Sequence, residues 1–200
     1  MTSFSSRVAP AFFAGVFLLS AATLSVSGAD PIPIAHRGLL RHAPENTLRA
    51  FAVCLELGMG FELDIRTTKD GHLVVLHDDS VKRTTNGPAR SVRDMSLAEL
   101  QQLDAGLWFG SSFAGLRVPT LEETLALVKE RKRAPTVIAL NVKQLNPDGE
   151  AKLVALVEKY ELLEESFAFD QNSEMSHRLK SLNPKFRIGQ NVNRQSIQTR

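Results

Sequence analysis

Short apolar runs alternate with segments of helical periodicity along most of the chain. Runs rich in Val, Ile, Leu and Phe that are flanked by polar or turn-forming residues predict β-strands. The predicted strands cover residues 32–36, 61–65, 73–77, 137–142, 166–169 and 186–188. Helical patterns lie between most of them, so the chain predicts repeated strand–helix units.

The helical segments carry start and stop signals as well as an apolar stripe. The first ends before Gly58, a residue that readily adopts the left-handed conformation found at helix ends. Two later helices begin with capping boxes, in which a hydroxyl and a carboxylate satisfy free backbone donors reciprocally. The helical signals are the stripe of 47–57, the boxes Ser96 with Glu99 and Thr120 with Glu123, and the stripe of 149–163.

Repeated strand–helix units predict an α/β fold with parallel strands, either an open doubly wound sheet or a closed barrel. The first strand is not followed by a glycine-rich phosphate loop, and polar residues follow several different strands. Both features favour a TIM-type barrel, whose chemistry sits at the carboxyl ends of its strands. With about six of eight strands, the barrel is predicted to be incomplete at its C-terminal end. Residues 78–119 form a long loop and helix excursion, predicted to cover part of the active-site mouth.

The N-terminal stretch has the features of a signal peptide. Arg7 precedes an apolar run over 11–26, and the small residues Ser27 and Ala29 stand at the −3 and −1 positions of a cleavage site before Asp30. A membrane anchor is the alternative, but a span needs about 20 apolar residues. We therefore expect a signal peptide over 1–29, one domain over 30–200, and an exported protein, periplasmic or secreted, without a stable membrane anchor.

Composition adds little to this picture. The chain is 43% hydrophobic and 23% charged, with a formal net charge of +2, as expected for one globular domain with a core. The basic residues are scattered rather than gathered on one predicted face, so nothing indicates a nucleic-acid partner. Cys54 is the only cysteine, which excludes an internal disulfide. The oligomeric state is not predicted.

Two neighbouring carboxylates stand in the second predicted strand. Glu62 and Asp64 are two residues apart, so both side chains lie on the same face of the strand. Paired carboxylates are costly unless a cation neutralises them, and a hard cation such as Ca²⁺ or Mg²⁺ takes oxygen ligands. The alternative is a structural ion pair with Arg66 or Lys143 as the partner. The spacing alone leaves both interpretations open.

Two predicted strands end in a histidine. His36 is adjacent to Arg37, so the pair offers a proton-transfer group beside a bidentate phosphate clamp. His77 ends an apolar strand, where a single histidine is more often structural. Together, His36 and His77 supply the acid and base that hydrolysis of a phosphodiester requires.

Three long motifs carry a more specific signal than any single residue. The runs HRGLLRHAPENTLRAF, FELDIRTTKDGHLVVLHDDSVKRTTNG and LDAGLWFGSSFAGLRVPTLEETLAL resemble the glycerophosphodiester phosphodiesterase family, in the order found in that family. The resemblance implies a TIM barrel with a divalent metal, Ca²⁺ or Mg²⁺, at its mouth. It also implies hydrolysis of a small phosphodiester to an alcohol and glycerol 3-phosphate. The implied roles are acid and base for His36 and His77, phosphate binding for Arg37, metal binding for Glu62 and Asp64, and a supporting substrate-site role for Glu45.

The chain departs from the family in its fourth predicted strand. The family motif there is Glu-X-Lys, with the Glu as a third metal ligand, whereas this chain has Asn141 before Lys143. Lys143 is kept and is expected to face the substrate. Asn141 offers a carbonyl oxygen without charge, so a weaker metal site or a different ion preference is expected. The alternative is that Asp170, just beyond the fifth predicted strand, compensates as a ligand. The alternatives are a catalytically impaired phosphodiester-binding protein and a truncated fragment of such an enzyme.

Overall fold

The computed structural model describes residues 31–133, 135–170 and 174–189. The predicted signal peptide over 1–29 lies outside these residues. In the part of the chain that is described, no helix combines the length and apolar character needed to cross a membrane.

The described strands form one sheet, and four of them are parallel in the order β1-β2-β4-β5. The fifth, β3, pairs only with β2. The strands are β1 (Ile34–Ala35), β2 (Gly60–Thr67), β3 (Leu73–Val75), β4 (Ile138–Gln144) and β5 (Ser166–Phe169). Beyond β5, Ile188 from the last predicted strand makes a single parallel bridge to Ala168. The prediction of an α/β fold built on a parallel sheet is therefore confirmed.

One predicted strand was wrong in its extent and its direction. Residues 73–77 were expected to form a strand of the parallel series, but β3 ends at Val75 and runs antiparallel to β2, with Leu73 opposite Thr67. Only residues 68–72 separate the two strands, whereas a parallel crossover takes a dozen or more residues. The turn contains Gly71 at φ +77°, a conformation that glycine adopts without strain. His77 consequently lies in the loop that follows a hairpin.

The first three helices begin where the sequence signals place them. Thr47 caps the first helix by accepting a hydrogen bond from the Ala50 N–H, and Gly58 follows its end at φ +67°. Both predicted capping boxes are present. The fourth helix starts two residues earlier than expected, because Asn146 caps it and a proline occupies its first turn. The helices are α1 (Leu48–Glu56), α2 (Leu97–Leu100), α3 (Leu121–Arg131), α4 (Pro147–Lys159) and α5 (Glu174–Leu182).

The main core lies between the sheet and the helices. Phe51 of α1 stacks on Phe61 of β2, with ring centroids 4.4 Å apart, and both rings are fully buried. Leu63 and Ile65 join this core, as the alternation in β2 predicts. The opposite face of the same strand is left for the two carboxylates.

The excursion over 78–119 has a small core of its own. Val81, Val92 and Leu100 pack there against Val74 and Leu76 of the hairpin. The excursion also contains two short 3₁₀ turns, Val92–Asp94 and Ser111–Phe113, besides α2. It is therefore a packed element that lies against β3, and the loop that carries His77 leads into it.

Candidate active site

The polar residues of three adjacent parallel strands meet at the carboxyl edge of the sheet. Asp64 of β2 is directly opposite Asn141 of β4 in the pairing register, and the β1 residues Ile34 and Ala35 pair with Gly60 and Phe61. Side chains that follow neighbouring strands at one edge are brought together by the sheet itself. The predicted residues gathered here are His36, Arg37, Glu45, Glu62, Asp64, Asn141 and Lys143.

Glu62 and Asp64 form a buried carboxylate pair. Their residues are only 6% and 0% exposed, so water solvates neither carboxylate well. Burial raises the pKa of Glu62, and repulsion from Asp64 raises it further, against hydrogen bonds from Asn141 and from the Arg37 N–H. The surroundings of Glu62 therefore disfavour its charged form.

Asp64 has three charged or amide partners besides Asn141. Lys143 Nζ lies 2.9 Å from Asp64 Oδ1, Asn46 Nδ2 donates to Oδ2 at 2.8 Å, and Arg37 Nε lies 3.5 Å from Oδ2. Of the two ion-pair partners that the sequence left open, Lys143 is the one observed. Asn46 was not predicted; it adopts φ +56° and also accepts a hydrogen bond from the Asp64 N–H.

Glu62 lies against the turn that follows β1. Its Oε2 accepts from the backbone N–H of Arg37 at 3.0 Å and lies 3.9 Å from His36 Nε2. Arg37 itself adopts φ +56°, a left-handed conformation that costs a non-glycine residue about 1–2 kcal/mol. Gly38 follows so close to α1 that an added Cβ would lie 2.6 Å from Ala50 Cβ. The turn thus directs the Arg37 amide into the carboxylate pair.

The guanidinium of Arg37 is mostly buried and incompletely satisfied. Nη1 donates to Glu45 Oε1 at 3.2 Å, but the buried Nε has no hydrogen-bond partner among the described residues, since its approach to Asp64 lacks hydrogen-bond geometry. A buried donor without an acceptor is unfavourable unless a ligand supplies one. An oxyanion is the natural acceptor for such a group.

The two histidines have different surroundings. His36 is 62% exposed in its side chain and faces Glu62. His77 is about one-third exposed, and its Nδ1 lies 2.7 Å from Asp78 Oδ1. Because a carboxylate accepts but does not donate, this contact places the proton on Nδ1 and leaves Nε2 as the basic nitrogen.

Arg66 holds His77 through the backbone instead of pairing with the carboxylates. Its Nε and Nη2 donate to the His77 carbonyl at 3.0 and 2.7 Å, and Nη1 reaches Asp79 at 3.4 Å. The alternative in which Arg66 neutralises Glu62 and Asp64 is therefore wrong. The hairpin explains the change, because Arg66 lies opposite Val74 and next to the loop that starts beyond β3.

Arg83 was not predicted, yet it contacts two residues of the site. It donates from Nη1 and Nη2 to Glu45 at 2.9 and 2.7 Å, and from Nε and Nη2 to Asp78 at 2.6 and 3.0 Å. These bonds hold the pKa of Asp78 well below its usual range, and they outweigh burial to lower the pKa of Glu45. Both carboxylates are therefore ionised at neutral pH.

The donor set suits a hard divalent cation only in part. Among the described residues no group of three or more His, Cys, Asp and Glu side chains is arranged to hold a metal ion. Glu62 and Asp64 supply oxygens, but Asn141 turns its amide nitrogen toward both, at 3.0 and 3.1 Å. Turning the Asn141 amide by 180° would present its oxygen instead. With that change the residues fit an all-oxygen site for Ca²⁺ or Mg²⁺.

Both carboxylate oxygens of Asp170 accept hydrogen bonds from outside the carboxylate pair. Its two oxygens accept hydrogen bonds from the Met175 N–H at 2.9 Å and from Ser176 Oγ at 2.7 Å, at the start of α5. Asp170 thus stabilises a helix N-terminus, a common role for an aspartate. The interpretation of Asp170 as a substitute ligand is not supported by these contacts.

A cavity of about 280 Å³ adjoins the carboxylate pair. His36 and Glu62 form its polar part, and Ala139, Phe167 and Phe169 form an apolar wall from β4 and β5. The two phenylalanine rings lie 6.0 Å apart. The cavity is suited to a small molecule with both a charged and an apolar portion.

Comparison with known proteins gives one consistent result. The family model described as the Glycerophosphoryl diester phosphodiesterase family matches residues 36–186. The chain is 41% identical over 157 residues to a glycerophosphodiester phosphodiesterase of Caldanaerobacter subterraneus, covering 78% of this chain and 64% of that protein. It is 35% identical over 176 residues to a glycerophosphodiester phosphodiesterase of Bacillus subtilis, and the match covers 79% of this chain and 59% of that protein. The chain thus spans about three-fifths of the length of these relatives.

Solved structures agree with the sequence comparison. A glycerophosphodiester phosphodiesterase from Agrobacterium tumefaciens matches with a TM-score of 0.70 and 37% identity, over 78% of this chain and 65% of that one. An Oleispira antarctica phosphodiesterase, solved in complex with the product sn-glycerol-3-phosphate, matches with a TM-score of 0.68 and 30% identity. This match covers 82% of this chain and 66% of that one. These matches confirm the predicted fold class, an α/β fold of the TIM-barrel type.

Proposed function

This chain belongs to the glycerophosphoryl diester phosphodiesterase family, and from that premise we propose that it hydrolyses glycerophosphodiesters to an alcohol and glycerol 3-phosphate. The observation that carries the proposal is the junction of β1, β2 and β4. There the unsatisfied Nε of Arg37 lies beside the buried pair Glu62 and Asp64. The product held by the Oleispira antarctica relative is the one expected from this reaction.

Arg37 and Lys143 are proposed to bind the phosphate. Both cations lie within 3.5 Å of Asp64, so their charges are concentrated at the mouth of the site. A phosphodiester oxygen would satisfy the free Nε of Arg37, and Lys143 would contribute a second positive charge. Interactions that strengthen as charge develops on the phosphoryl oxygens lower the barrier to reaction.

His77 and His36 are proposed as the general base and general acid. With Nδ1 bound to Asp78, the Nε2 of His77 is the nitrogen that takes a proton from the attacking water as the water oxygen bonds to phosphorus. His36 then gives a proton to the oxygen of the leaving alcohol as the P–O bond breaks. Glu45 supports the site by accepting from Arg37.

A divalent cation, Ca²⁺ or Mg²⁺, is proposed to be held by Glu62 and Asp64, with the Asn141 oxygen as a neutral third ligand. The raised pKa of Glu62 supports the proposal, because burial and then the neighbouring Asp64 disfavour its charged form, and a bound cation would offset both effects. When bound, such an ion would neutralise the pair and polarise a phosphate oxygen. With one carboxylate fewer than the family motif, the affinity for the ion should be lower.

The activity test uses glycerophosphocholine, glycerophosphoethanolamine and glycerophosphoglycerol with Ca²⁺, Mg²⁺, Mn²⁺ or EDTA. The expected result is release of glycerol 3-phosphate with at least one diester and one ion, and its loss in His36→Ala and His77→Ala. His42→Ala changes an exposed histidine near the same turn and serves as the matched control. If a cooperatively folded protein releases no glycerol 3-phosphate under any of these conditions, the proposed activity is wrong.

A second candidate is a phosphodiester-binding protein without turnover. The amide of Asn141, which donates to both carboxylates, favours it, because the two hydrogen bonds stabilise the pair without an ion. Calorimetric titration with glycerophosphocholine separates the two functions. Binding that is unaffected by EDTA, together with an absence of product, would support the second candidate.

Export is also proposed, on the strength of the sequence pattern over 1–29. Expression of the full chain in a bacterial host, followed by mass spectrometry of the periplasmic and culture fractions, tests it. The expected mature protein begins at Asp30. Retention of uncleaved chain in the cytoplasm would contradict the proposal.

A further inference from the structure

The Arg83 side chain joins two loops that carry different parts of the site. Glu45 belongs to the connection between β1 and α1, and Asp78 belongs to the loop that follows β3. Arg83 donates two hydrogen bonds to each carboxylate, all between 2.6 and 3.0 Å. Such planar, two-sided pairing uses the geometry of a guanidinium, and a lysine cannot reproduce it.

Each of these carboxylates also holds a residue assigned to the reaction. Glu45 Oε1 accepts from Arg37 Nη1 at 3.2 Å, and Asp78 Oδ1 contacts His77 Nδ1 at 2.7 Å. The result is an unbroken series of contacts in the order Arg37, Glu45, Arg83, Asp78 and His77. The proposed phosphate-binding group and the proposed base are thus the two ends of one network.

Charge balance indicates what the central residue does. Arg37 and Arg83 carry the two positive charges, and Glu45 and Asp78 the two negative ones. Without Arg83, Glu45 would have Arg37 as its one ion-pair partner among its described contacts, and it would draw that guanidinium away from a phosphate. Asp78 would lose the two hydrogen bonds from Arg83 that fix its orientation. The Asp78 oxygen that accepts from His77 Nδ1 would then no longer be held in place.

We propose that Arg83 is a positioning residue that fixes the orientation of the phosphate-binding Arg37 and of the base His77 relative to one another. The inference rests on the proposed function and adds a residue whose described side-chain hydrogen bonds go to Glu45 and Asp78 and not to Glu62 or Asp64. Removing Arg83 should affect both ends, so KM should rise through Arg37 and kcat should fall through His77.

The first test compares Arg83→Ala and Arg83→Lys with Arg90→Ala. Arg90 is a matched control, because it is an exposed arginine on the same excursion that pairs with Glu99 outside the site. We expect kcat/KM to fall roughly 100-fold in Arg83→Ala, shared between KM and kcat, and less in Arg83→Lys. Added guanidinium should restore part of the Arg83→Ala activity, since this side chain is 44% exposed. The control should stay within about twofold of the wild type.

The second test measures the imidazole tautomer of His77 and does not depend on turnover. In ¹⁵N NMR spectra of the imidazoles, wild-type protein should show His77 as the Nδ1-protonated tautomer, and Arg83→Ala should show mixed tautomers. Arg83→Lys provides the measurement if the alanine variant does not fold. A wild type that turns over no diester would disprove the proposed function and leave this readout intact. Unchanged kinetics, or an activity loss with an unchanged His77 tautomer and no guanidinium rescue, would overturn the role of Arg83.

Discussion

The Asn141 side-chain nitrogen lies 3.1 Å from Asp64 Oδ1, across the pairing of β4 with β2. An amide therefore occupies the place where the family motif supplies a carboxylate. Asn141→Glu should lower the free energy of unfolding without added metal by about 1–3 kcal/mol, because it adds a third negative charge to a buried pair. With Ca²⁺ the same variant should bind the ion at least about tenfold more tightly than the wild type. Calorimetric titration and thermal unfolding, each with and without Ca²⁺, measure both effects.

Asn141→Gln is the control for this substitution, since it matches the length of glutamate without its charge. It should neither weaken the ion-free protein through repulsion nor gain affinity for Ca²⁺. Equal Ca²⁺ affinity in the glutamate variant, the glutamine variant and the wild type would show that this position does not contribute to an ion site.

The carboxyl of Glu62 should give the ion-free protein a measurable pH dependence. Its folded pKa is raised, mainly by burial and then by Asp64, so the protonated group stabilises the fold at low pH and this stabilisation is lost as pH rises through the folded pKa. Glu62→Gln resembles the protonated form at every pH. Its stability relative to the wild type should therefore increase from pH 5 to pH 8. Urea unfolding in EDTA across this range gives the comparison.

Glu56→Gln provides the baseline, because Glu56 is an exposed carboxylate at the end of α1. Its stability difference from the wild type should stay nearly constant over the same range. A constant difference for Glu62→Gln as well would mean that the carboxylate pair is already neutralised in the ion-free protein.

Local patterns were enough to predict the elements and the shared face of the carboxylates. The period of two in β2 places Glu62 and Asp64 opposite the core residue Leu63, and the capping signals mark the starts of α2 and α3. The direction of β3 was predicted wrongly, because a short apolar run looks the same in a hairpin and in a parallel strand. The brevity of the connection over 68–72 is the signal that would have distinguished them.

The network around Arg83 was not predictable from spacing. Arg83 and Glu45 are separated by 38 positions along the chain, and only the folded excursion brings them together. Glu45 was predicted as a site residue through the family resemblance, whereas no role was predicted for Asp78, which is adjacent to His77. Long-range ion pairs depend on loop conformation, which local hydrophobic patterns do not specify.

The capping box of α3 should matter more to stability than that of α2. Thr120 caps an eleven-residue helix whose Leu121, Leu125 and Val128 are fully buried in the main core. Ser96 caps a helix of four residues in the excursion. Thr120→Ala should lower the free energy of unfolding by about 1–2 kcal/mol and Ser96→Ala by less than about 1 kcal/mol, measured by urea unfolding. A larger effect of Ser96→Ala would indicate that the excursion contributes more to global stability than the α3 side of the core does.

Lys143 should have opposite effects on ion binding and on turnover. Its Nζ lies 2.9 Å from Asp64 Oδ1 and its side chain is 24% exposed, so it neutralises the oxygen that a divalent ion would also use. Lys143→Met removes this competitor, and Ca²⁺ should bind about tenfold more tightly to a pair left with more net charge. The same variant lacks a proposed phosphate contact, so kcat/KM should fall about 100-fold. Lys152→Met, at a lysine of α4 that donates to the Gly71 carbonyl, controls for loss of a lysine elsewhere. A parallel loss of Ca²⁺ affinity and activity in Lys143→Met would contradict the competition, because it would mean that Lys143 organises the carboxylates for the ion.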